Sequence, residues 1–263
     1  MSYLVNPWLF ALPLSGWTNN YRGDFNGSEY LRVLDPSFKG WTQAGGRSLE
    51  MWITLDDVSG NQDVFSLSEV TTGGSNYGYF RVRFRSAANN DVQIQSRISG
   101  SGFNPVSRWD FPGTMTTGVR YHMVLTNTGS GNRMFINGTE CTNTVNDVSN
   151  WWGDRIIAAS ISCLIGASET NTGTILIPTT SRIDRVTLWS CSLNNDTVNA
   201  YLSQLYNGGT IADPTTHPLA ANLQHHWDFE NRITDQQGAD HMAGGGGWIT
   251  AINPPGPGNI VPA

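Results

Sequence analysis

Four tryptophans of this 263-residue chain fall in segments that read as loops or strand ends: Trp41, Trp109, Trp151 and Trp152. An exposed indole ring can stack on a sugar ring, and two adjacent rings offer a broader face. If the protein has a carbohydrate site, we predict that these residues form it, with Trp151 and Trp152 at its centre. Two other roles stay open for them: burial at a protein interface, where tryptophan is enriched, and closure of the ends of the domain.

A second candidate surface comes from two alternating segments, residues 79–85 and 91–98. Their period of two predicts a pair of strands joined as a hairpin through residues 87–90, with apolar side chains inward and polar ones outward. One interpretation is a solvated strand face, which the acidic chain favours; the other is a patch for a carboxylate, a phosphate or an acidic partner. The outward residues would be Arg81, Arg83, Arg85, Gln93, Gln95 and Arg97.

Metal chemistry has weaker support in the sequence. Calcium takes six to eight oxygen ligands gathered from several loops, and Asp24 and Asp184 are its predicted ligands. If its strand is regular, Asp184 faces inward and its charge needs partners. His225 and His226 would point to opposite faces of a strand, so they cannot share one metal. Calcium is the one candidate cofactor.

The elements that must position these residues are predominantly strands. Val119, Tyr121, Met123 and Leu125 alternate and are predicted to face the interior of a sandwich, and Asn-Gly at 137–138 predicts a tight hairpin. One short amphipathic helix is expected to begin at Asn194 or Asn195 and to end near Gly208.

Composition and the chain ends add further expectations. A net charge of −6 is the opposite of what a nucleic-acid-binding domain shows, and no apolar run is long enough to span a membrane. We predict an arm over residues 1–23, a sandwich over 24–243 and a Gly/Pro-rich tail over 244–263. Both ends are predicted to contact another chain, in a homo-oligomer or a larger particle. The predicted contact residues are Trp8, Phe10, Trp248 and Ile249.

Several short motifs occur in the order found in laminin G-like and concanavalin A-like domains, which the chain resembles over residues 24–210. The resemblance implies an all-β, antiparallel two-sheet jelly-roll sandwich with one short helix. The matching motifs are FNG at 25–27, SLEMWI at 48–53, YHMVL at 121–125, MFING at 134–138, LIG at 164–166 and IDRV at 183–186.

The C-terminal part resembles such domains in tailed-phage virion proteins, through LYNGG at 205–209, Trp227, Phe229, Asp235 and Gly238. This resemblance implies a structural or accessory virion protein: a head decoration, fibre or tail component. Its partners would be capsid or tail proteins, with a surface glycan as a further candidate ligand. Its location would be the virion, assembled in the host cytoplasm.

Two alternatives stay open, a soluble carbohydrate-binding lectin and a glycoside-cleaving enzyme. Retaining glucanases need two carboxylates flanking the scissile bond. Glu50 leads only to Thr54, so the E-x-D-x-E arrangement is missing. We therefore predict a protein that is not an enzyme.

Overall fold

The structure is a computed structural model of the chain. It describes residues 21–42, 44–70, 77–101, 106–129, 131–145, 151–156, 160–194, 201–229, 233–245 and 260–262. Among these residues, no helix is long and apolar enough to cross a membrane.

The described ranges contain sixteen strands and two short α-helices, with four 3-10 turns between them. The strands are β1 Tyr21–Asn26, β2 Tyr30–Leu34, β3 Arg47–Leu55, β4 Gln62–Glu69, β5 Tyr79–Phe84, β6 Asp91–Arg97, β7 Val106–Asp110, β8 Arg120–Asn127, β9 Asn132–Ile136, β10 Thr139–Glu140, β11 Asn143–Val145, β12 Ile161–Ile165, β13 Thr180–Trp189, β14 Leu223–Trp227, β15 Ala243–Gly245 and β16 Ile260–Pro262. The helices are α1 Trp152–Arg155 and α2 Tyr201–Tyr206.

The strands form two eight-stranded antiparallel sheets. Sheet I has the order β10-β9-β8-β3-β13-β1-β16, with β14 also paired to β13. Sheet II has the order β11-β7-β6-β5-β4-β12-β2-β15. Apolar residues from both sheets form one buried cluster between them, so the predicted two-sheet sandwich is confirmed.

The predicted alternation is confirmed along β8. Tyr121, Met123 and Leu125 are buried in the core cluster, while the side chains between them face the other side of the sheet. Val119 precedes the strand and is 42% exposed, so the prediction that it faces the interior is wrong. The ladder between β3 and β8 runs from Arg120 to Asn127, so Val119 lies just outside the paired strand.

Two turns follow the predicted chemistry. Asn137 and Gly138 both have positive φ and join β9 to β10, as a two-residue hairpin requires. The loop at residues 87–90 joins β5 to β6, and Asn90 also has a positive φ. The register of this second hairpin sets the surface described below.

Two helices cap the sandwich, where one was predicted. Helix α2 lies within the predicted range and buries Leu202 and Leu205 against the outer face of sheet I. Helix α1 is a single turn whose Gly153 N–H donates to the Trp41 carbonyl at 3.1 Å. A Cβ on Gly153 would lie 2.1 Å from that oxygen, so only glycine permits this approach.

The predicted boundaries and one predicted face need correction. Strand β1 begins at Tyr21, inside the predicted arm, and the predicted tail contributes residues to β15 and to β16. Edge strands need only backbone hydrogen bonds, so glycine and proline do not prevent them. Strand β13 is not regular: its register shifts between Ile183 and Arg185, which makes Asp184 a bulge residue.

Candidate functional site

Three of the tryptophans predicted to bind sugar are interior residues. Trp151 and Trp152 are 0% exposed and Trp109 is 1% exposed. Trp151 and Trp152 stack on each other at 4.4 Å, and the Trp152 indole N–H donates to the Phe38 carbonyl at 3.0 Å. A ring without accessible surface cannot stack on a sugar, so the carbohydrate-binding prediction is wrong for these three residues. They fill the core instead.

Trp41 is the partly exposed member of the predicted set. Its ring stacks against Trp152 at 6.4 Å, and the Arg47 guanidinium carbon lies 5.2 Å from its centroid. Trp41 therefore covers one end of the core, and a role for it in sugar binding stays a prediction.

The outer face of sheet II carries the predicted arginine-rich surface. Because the side chains of β5 and β6 alternate, every second residue of each strand shares this face. We call the outward side of β5, β6 and β7 the β5–β7 shelf. Its cross-strand neighbours are Tyr79 with Arg97, Arg81 with Gln95, and Arg83 with Gln93, which in turn lies opposite Arg108.

Guanidinium groups and phenol rings alternate at one end of the shelf. The Arg81 guanidinium carbon lies 4.8 Å from the Tyr79 ring centroid. The Arg97 guanidinium carbon lies 5.2 Å from the Tyr79 centroid and 5.3 Å from that of Tyr77. Arg81 Nε also donates to Gln95 Oε1 at 3.0 Å, which fixes its orientation. We call Arg81, Tyr79, Arg97 and Tyr77 the arginine–tyrosine stack.

The loop over residues 166–179 covers the neighbouring part of sheet II. Ser66 Oγ donates to the Ala167 carbonyl at 2.9 Å, and Ser68 Oγ donates to the Glu169 carbonyl at 3.1 Å. An Arg32–Glu169 ion pair ties the loop to β2. The loop therefore covers the outer face of β4 and lies next to the shelf.

The arginines of the shelf differ in how far they are neutralised. Arg83 is buried and donates twice to Asp63, at 2.6 and 3.0 Å. Arg81 lies 3.7 Å from the same carboxylate and is more accessible. Asp63 therefore forms its short ion pair with Arg83, and its interaction with Arg81 is weaker because the distance is longer.

Tyr77 contributes a neutral hydroxyl to the stack. Burial raises the pKa of Tyr77, and this outweighs the lowering by the positive charges of Arg81 and Arg97. The phenol therefore keeps its proton at neutral pH and can donate a hydrogen bond.

The predicted calcium ligands do not form a cation cluster. Burial and the neighbouring Asp56 raise the pKa of Asp24, while Arg182 opposes the rise. Arg182 donates to both Asp56 oxygens, so a guanidinium supplies the positive charge at this site. Asp184 is buried at the β13 bulge. Within the described ranges, no three His, Cys, Asp or Glu residues are placed to hold a metal ion. Calcium stays a prediction.

The outer face of sheet I contains a second charged cluster, and it is fully buried. Glu50 accepts hydrogen bonds from Arg185, from Thr187 and from His122 Nε2, the last at 3.1 Å. Burial alone would raise the pKa of Glu50, but Arg185 and the His122 bond hold it well below its usual range. We call Glu50, Arg185, Thr187 and His122 the Glu50 network.

Three histidines surround the charges of this network in a neutral form. Burial lowers the pKa of His122 and of His217, and burial with the charge of Arg185 lowers the pKa of His226 to about 4. Neither ring nitrogen of His226 has a hydrogen-bond partner in the part of the chain that the structure describes. Protonation of these rings is therefore unfavourable in the folded state.

His225, on the other face of β14 as predicted, joins two carboxylates of the C-terminal segment to Ser37. Its Nδ1 donates to Asp235 at 2.6 Å, and Ser37 Oγ lies 3.3 Å from its Nε2 and 2.8 Å from Asp240. Burial opposes ionisation of Asp235, yet the His225 bond and three backbone N–H groups lower its pKa to about 2. This cluster fastens residues 233–245 to the sandwich.

The predicted contact residues at the ends, Trp8, Phe10, Trp248 and Ile249, lie outside the described residues. Their role in assembly stays a prediction. Sequence reasoning also missed Tyr77 and Tyr79, although Tyr79 carries the same alternation that exposed the arginines. The signal was a tyrosine two residues before Arg81, on the same face.

Solved structures of similar shape come from several sources. A candidate carbohydrate-binding protein from Bacteroides ovatus has a TM-score of 0.53 at 16% identity, over 86% of this chain and 57% of that one. The CBM40 domain of the Ruminococcus gnavus IT-sialidase, bound to α2,3-sialyllactose, has a TM-score of 0.51 at 15% identity, over 67% of this chain and 95% of that one. The leech intramolecular trans-sialidase has a TM-score of 0.53 at 18% identity, over 67% and 26%. At these identities the likeness shows the fold alone.

The sequence comparisons give a family. No curated protein matches the chain. The family model described as the concanavalin A-like lectin/glucanases superfamily matches residues 25–199, which is more than half of the sequence. The motifs in the sequence, the two-sheet sandwich and this match agree, and the chain belongs to the concanavalin A-like lectin/glucanase superfamily.

Proposed function

We propose that this protein is a glycan-binding module and that its binding surface is the β5–β7 shelf. The observation that carries the proposal is the arginine–tyrosine stack on the outer face of sheet II. Binding sites for small ligands combine aromatic surface with a few convergent polar groups. The stack supplies both, since the partly buried Tyr77 ring offers apolar contact and the guanidinium groups and the Tyr77 hydroxyl offer hydrogen bonds to sugar oxygens. Tyr79 is only 6% exposed, and its ring supports the two guanidinium groups instead of meeting the ligand.

The structural neighbours support this proposal over the virion assignment. The Ruminococcus gnavus domain was solved with a bound sialyllactose, and the Bacteroides ovatus protein is described as a candidate carbohydrate-binding protein. This chain spans only 57% of the Bacteroides ovatus protein, so the activity of that whole protein is not assigned to this chain. The neighbours share the fold with this chain, and we assign ligand binding to the side chains of the β5–β7 shelf.

The carboxylates around the stack are held in structural contacts, which favours a binding role over a catalytic one. Asp63 is held by Arg83, Glu169 pairs with Arg32, and Glu69 accepts hydrogen bonds from the Gly78 N–H and from Ser99. A glycosidase needs one carboxyl group as acid and a second as base or nucleophile. Each of these three carboxylates already has a structural partner.

The virion role remains our second candidate. The pattern after residue 204 motivates it, together with the predicted contacts of the arm and the tail with capsid or tail proteins or with another copy. A glycan-binding surface is compatible with a virion component that attaches to a cell. Immunogold labelling of purified particles tests the location, and unlabelled particles would rule it out.

A glycan array probed with the full chain tests the main proposal. We expect binding to a subset of glycans and its loss in the Arg81→Gln variant. Arg133→Gln is the matched control, because Arg133 pairs with Glu140 at the edge of sheet I. Binding of no glycan would refute the function, and equal binding by wild type and Arg81→Gln would move the site away from the shelf.

A further inference from the structure

We infer that the arginine–tyrosine stack binds the acidic group of an anionic sugar, so that the ligands are glycans carrying a carboxylate or a sulfate. This inference rests on the proposed function and names the ligand class of the same site. It follows from three observations: the placement of the guanidinium groups, their orientation and the local balance of charge.

The placement gives two cations one site. Arg81 lies opposite Gln95 on the neighbouring strand, and Arg97 is two residues further along that strand. Such diagonal neighbours are about 7–8 Å apart at the backbone, which long side chains easily bridge. A single anionic group above Tyr79 is therefore within reach of both guanidinium groups.

The orientation of Arg81 leaves its two terminal nitrogens without a short contact to a carboxylate of the described residues. A guanidinium stacked on an aromatic ring uses its face for that contact, while its N–H groups lie in its own plane. Arg81 Nε donates to Gln95, and the carboxylate nearest to Arg81, that of Asp63, lies 3.7 Å away, beyond hydrogen-bond distance. The planar fork of an arginine matches a carboxylate or sulfate, which can accept two hydrogen bonds at once.

The local charge is opposite in sign to that of the chain. The protein has a net charge of −6. Four arginines of sheet II surround this area against three carboxylates in its described part, and the partners of two ion pairs, Arg83–Asp63 and Arg32–Glu169, neutralise each other. Arg81 and Arg97 therefore face one further carboxylate, Glu69. A positive site on an acidic protein attracts an anion and disfavours other acidic surfaces. The four arginines are Arg32, Arg81, Arg83 and Arg97, and the carboxylates are Asp63, Glu69 and Glu169.

Titration calorimetry with pairs of sugars, of which one member carries an anionic group that the other lacks, tests the inference. One pair is 3′-sialyllactose and its methyl ester; the second is an oligogalacturonate and its methyl ester; the third is sulfated lactose and lactose. We expect the charged member of at least one pair to bind tenfold or more tightly than its neutral partner. Added sodium chloride should weaken that binding, since the contact is ionic.

Variants then locate the effect. Arg81→Gln should lower the affinity for the acidic sugar at least tenfold, and Arg81→Lys, which keeps the charge but loses the planar fork, should lower it several-fold. Arg133→Gln should leave it unchanged. Thermal unfolding of each variant shows that the fold is retained.

The two failures can be told apart. If neutral and charged members of every pair bind equally and through the shelf, the acidic-ligand inference is wrong while the glycan-binding proposal stands. If no member of any pair and no glycan on the array binds, the proposed function itself fails.

Discussion

The two outer faces of the sandwich use the same kinds of charged residue in opposite ways. On sheet I, the Glu50 network is 0% exposed and lies beneath a cluster of apolar side chains that includes α2. On sheet II, the arginine–tyrosine stack lies on the β5–β7 shelf, beside a loop that covers β4. Arg185 is enclosed with its carboxylate partner, whereas Arg81 reaches its nearest carboxylate only at 3.7 Å.

This difference shows that burial and partner distance, not residue type, separate structural arginines from those available to a ligand. A buried ion pair that loses one member leaves an uncompensated charge, which is very costly. The Arg81 side chain is 14% exposed and has no carboxylate of the described residues within hydrogen-bond distance, so its replacement leaves Asp63 still paired with Arg83. The four predictions below test this separation, from the largest expected effect to the smallest.

Replacing Glu50 with glutamine should give the largest loss of stability. Arg185 would then remain buried without its carboxylate. We expect the free energy of unfolding to fall by about 3–5 kcal/mol. Urea unfolding followed by tryptophan fluorescence measures this. Glu140→Gln removes an exposed pair with Arg133 and should cost about 1 kcal/mol or less. Similar losses in both variants would contradict the comparison.

Acidification should destabilise the sheet I face before it affects the shelf. The pKa of His226 is lowered to about 4 in the folded state against 6.5 in the unfolded chain. The unfolded state therefore binds more protons between these values, and stability falls as the pH drops from 6.5 to 4. Each such histidine contributes at most about 1.4 kcal/mol per pH unit.

Unfolding midpoints measured at intervals across this range check the effect. The His226→Gln variant should show a flatter dependence on pH than wild type. Below about 4.5, protonation of Glu50, whose pKa is lowered, should add a second loss. A stability that stays constant from pH 6.5 to 4 would show that these groups are not buried as described.

Within the shelf itself, replacing Arg83 and replacing Arg81 should have different effects on stability. Arg83→Gln leaves the buried Asp63 carboxylate without its two short hydrogen bonds and should cost about 1.5–3 kcal/mol of stability. Arg81→Gln loses the hydrogen bond to Gln95 and should cost less, about 0.5–1.5 kcal/mol, while it weakens glycan binding. Chemical denaturation and calorimetry on both variants provide the test. The reverse order of stabilities would assign the structural role to Arg81.

The smallest effect is expected at Tyr79. Tyr79→Leu removes the buried ring between Arg81 and Arg97, and the loss acts on the ligand only through the orientation of the two guanidinium groups; each cation–π contact is worth about 0.5–1 kcal/mol or more. Affinity for the glycan should fall about two- to fivefold. Tyr79→Phe keeps the ring and should bind like wild type, so a matching loss in both variants would point to the hydroxyl instead.

Local periodicity predicted much of this arrangement. Alternation along residues 79–85 and 91–98 placed Arg81 and Arg97 on one outward face, and the structure confirms it. What periodicity cannot give is the cross-strand register, which sets Arg97 beside Tyr79. The contact between these two residues is a property of the pair of strands, so no single segment reveals it.

The errors have equally local causes. The sequence predicts a loop at Trp151 and Trp152, yet α1 turns both rings into the core. The adjacency of two tryptophans says nothing about which side of the chain faces water. At Asp184, one extra residue shifts the register of β13, and a bulge leaves no signature in the alternation on either side.

The pairing of β1 with β16 also determines how the protein would respond to mechanical load. Tyr21 pairs with Pro262 and Gly23 with Ile260, so both strands present their outer ends at the same point of the ladder. Tension applied between the segment before Tyr21 and the segment after Pro262 opens this ladder from one end, one residue pair at a time. Strand β16 should therefore peel away at low force and lengthen the chain while the rest of the sandwich stays intact.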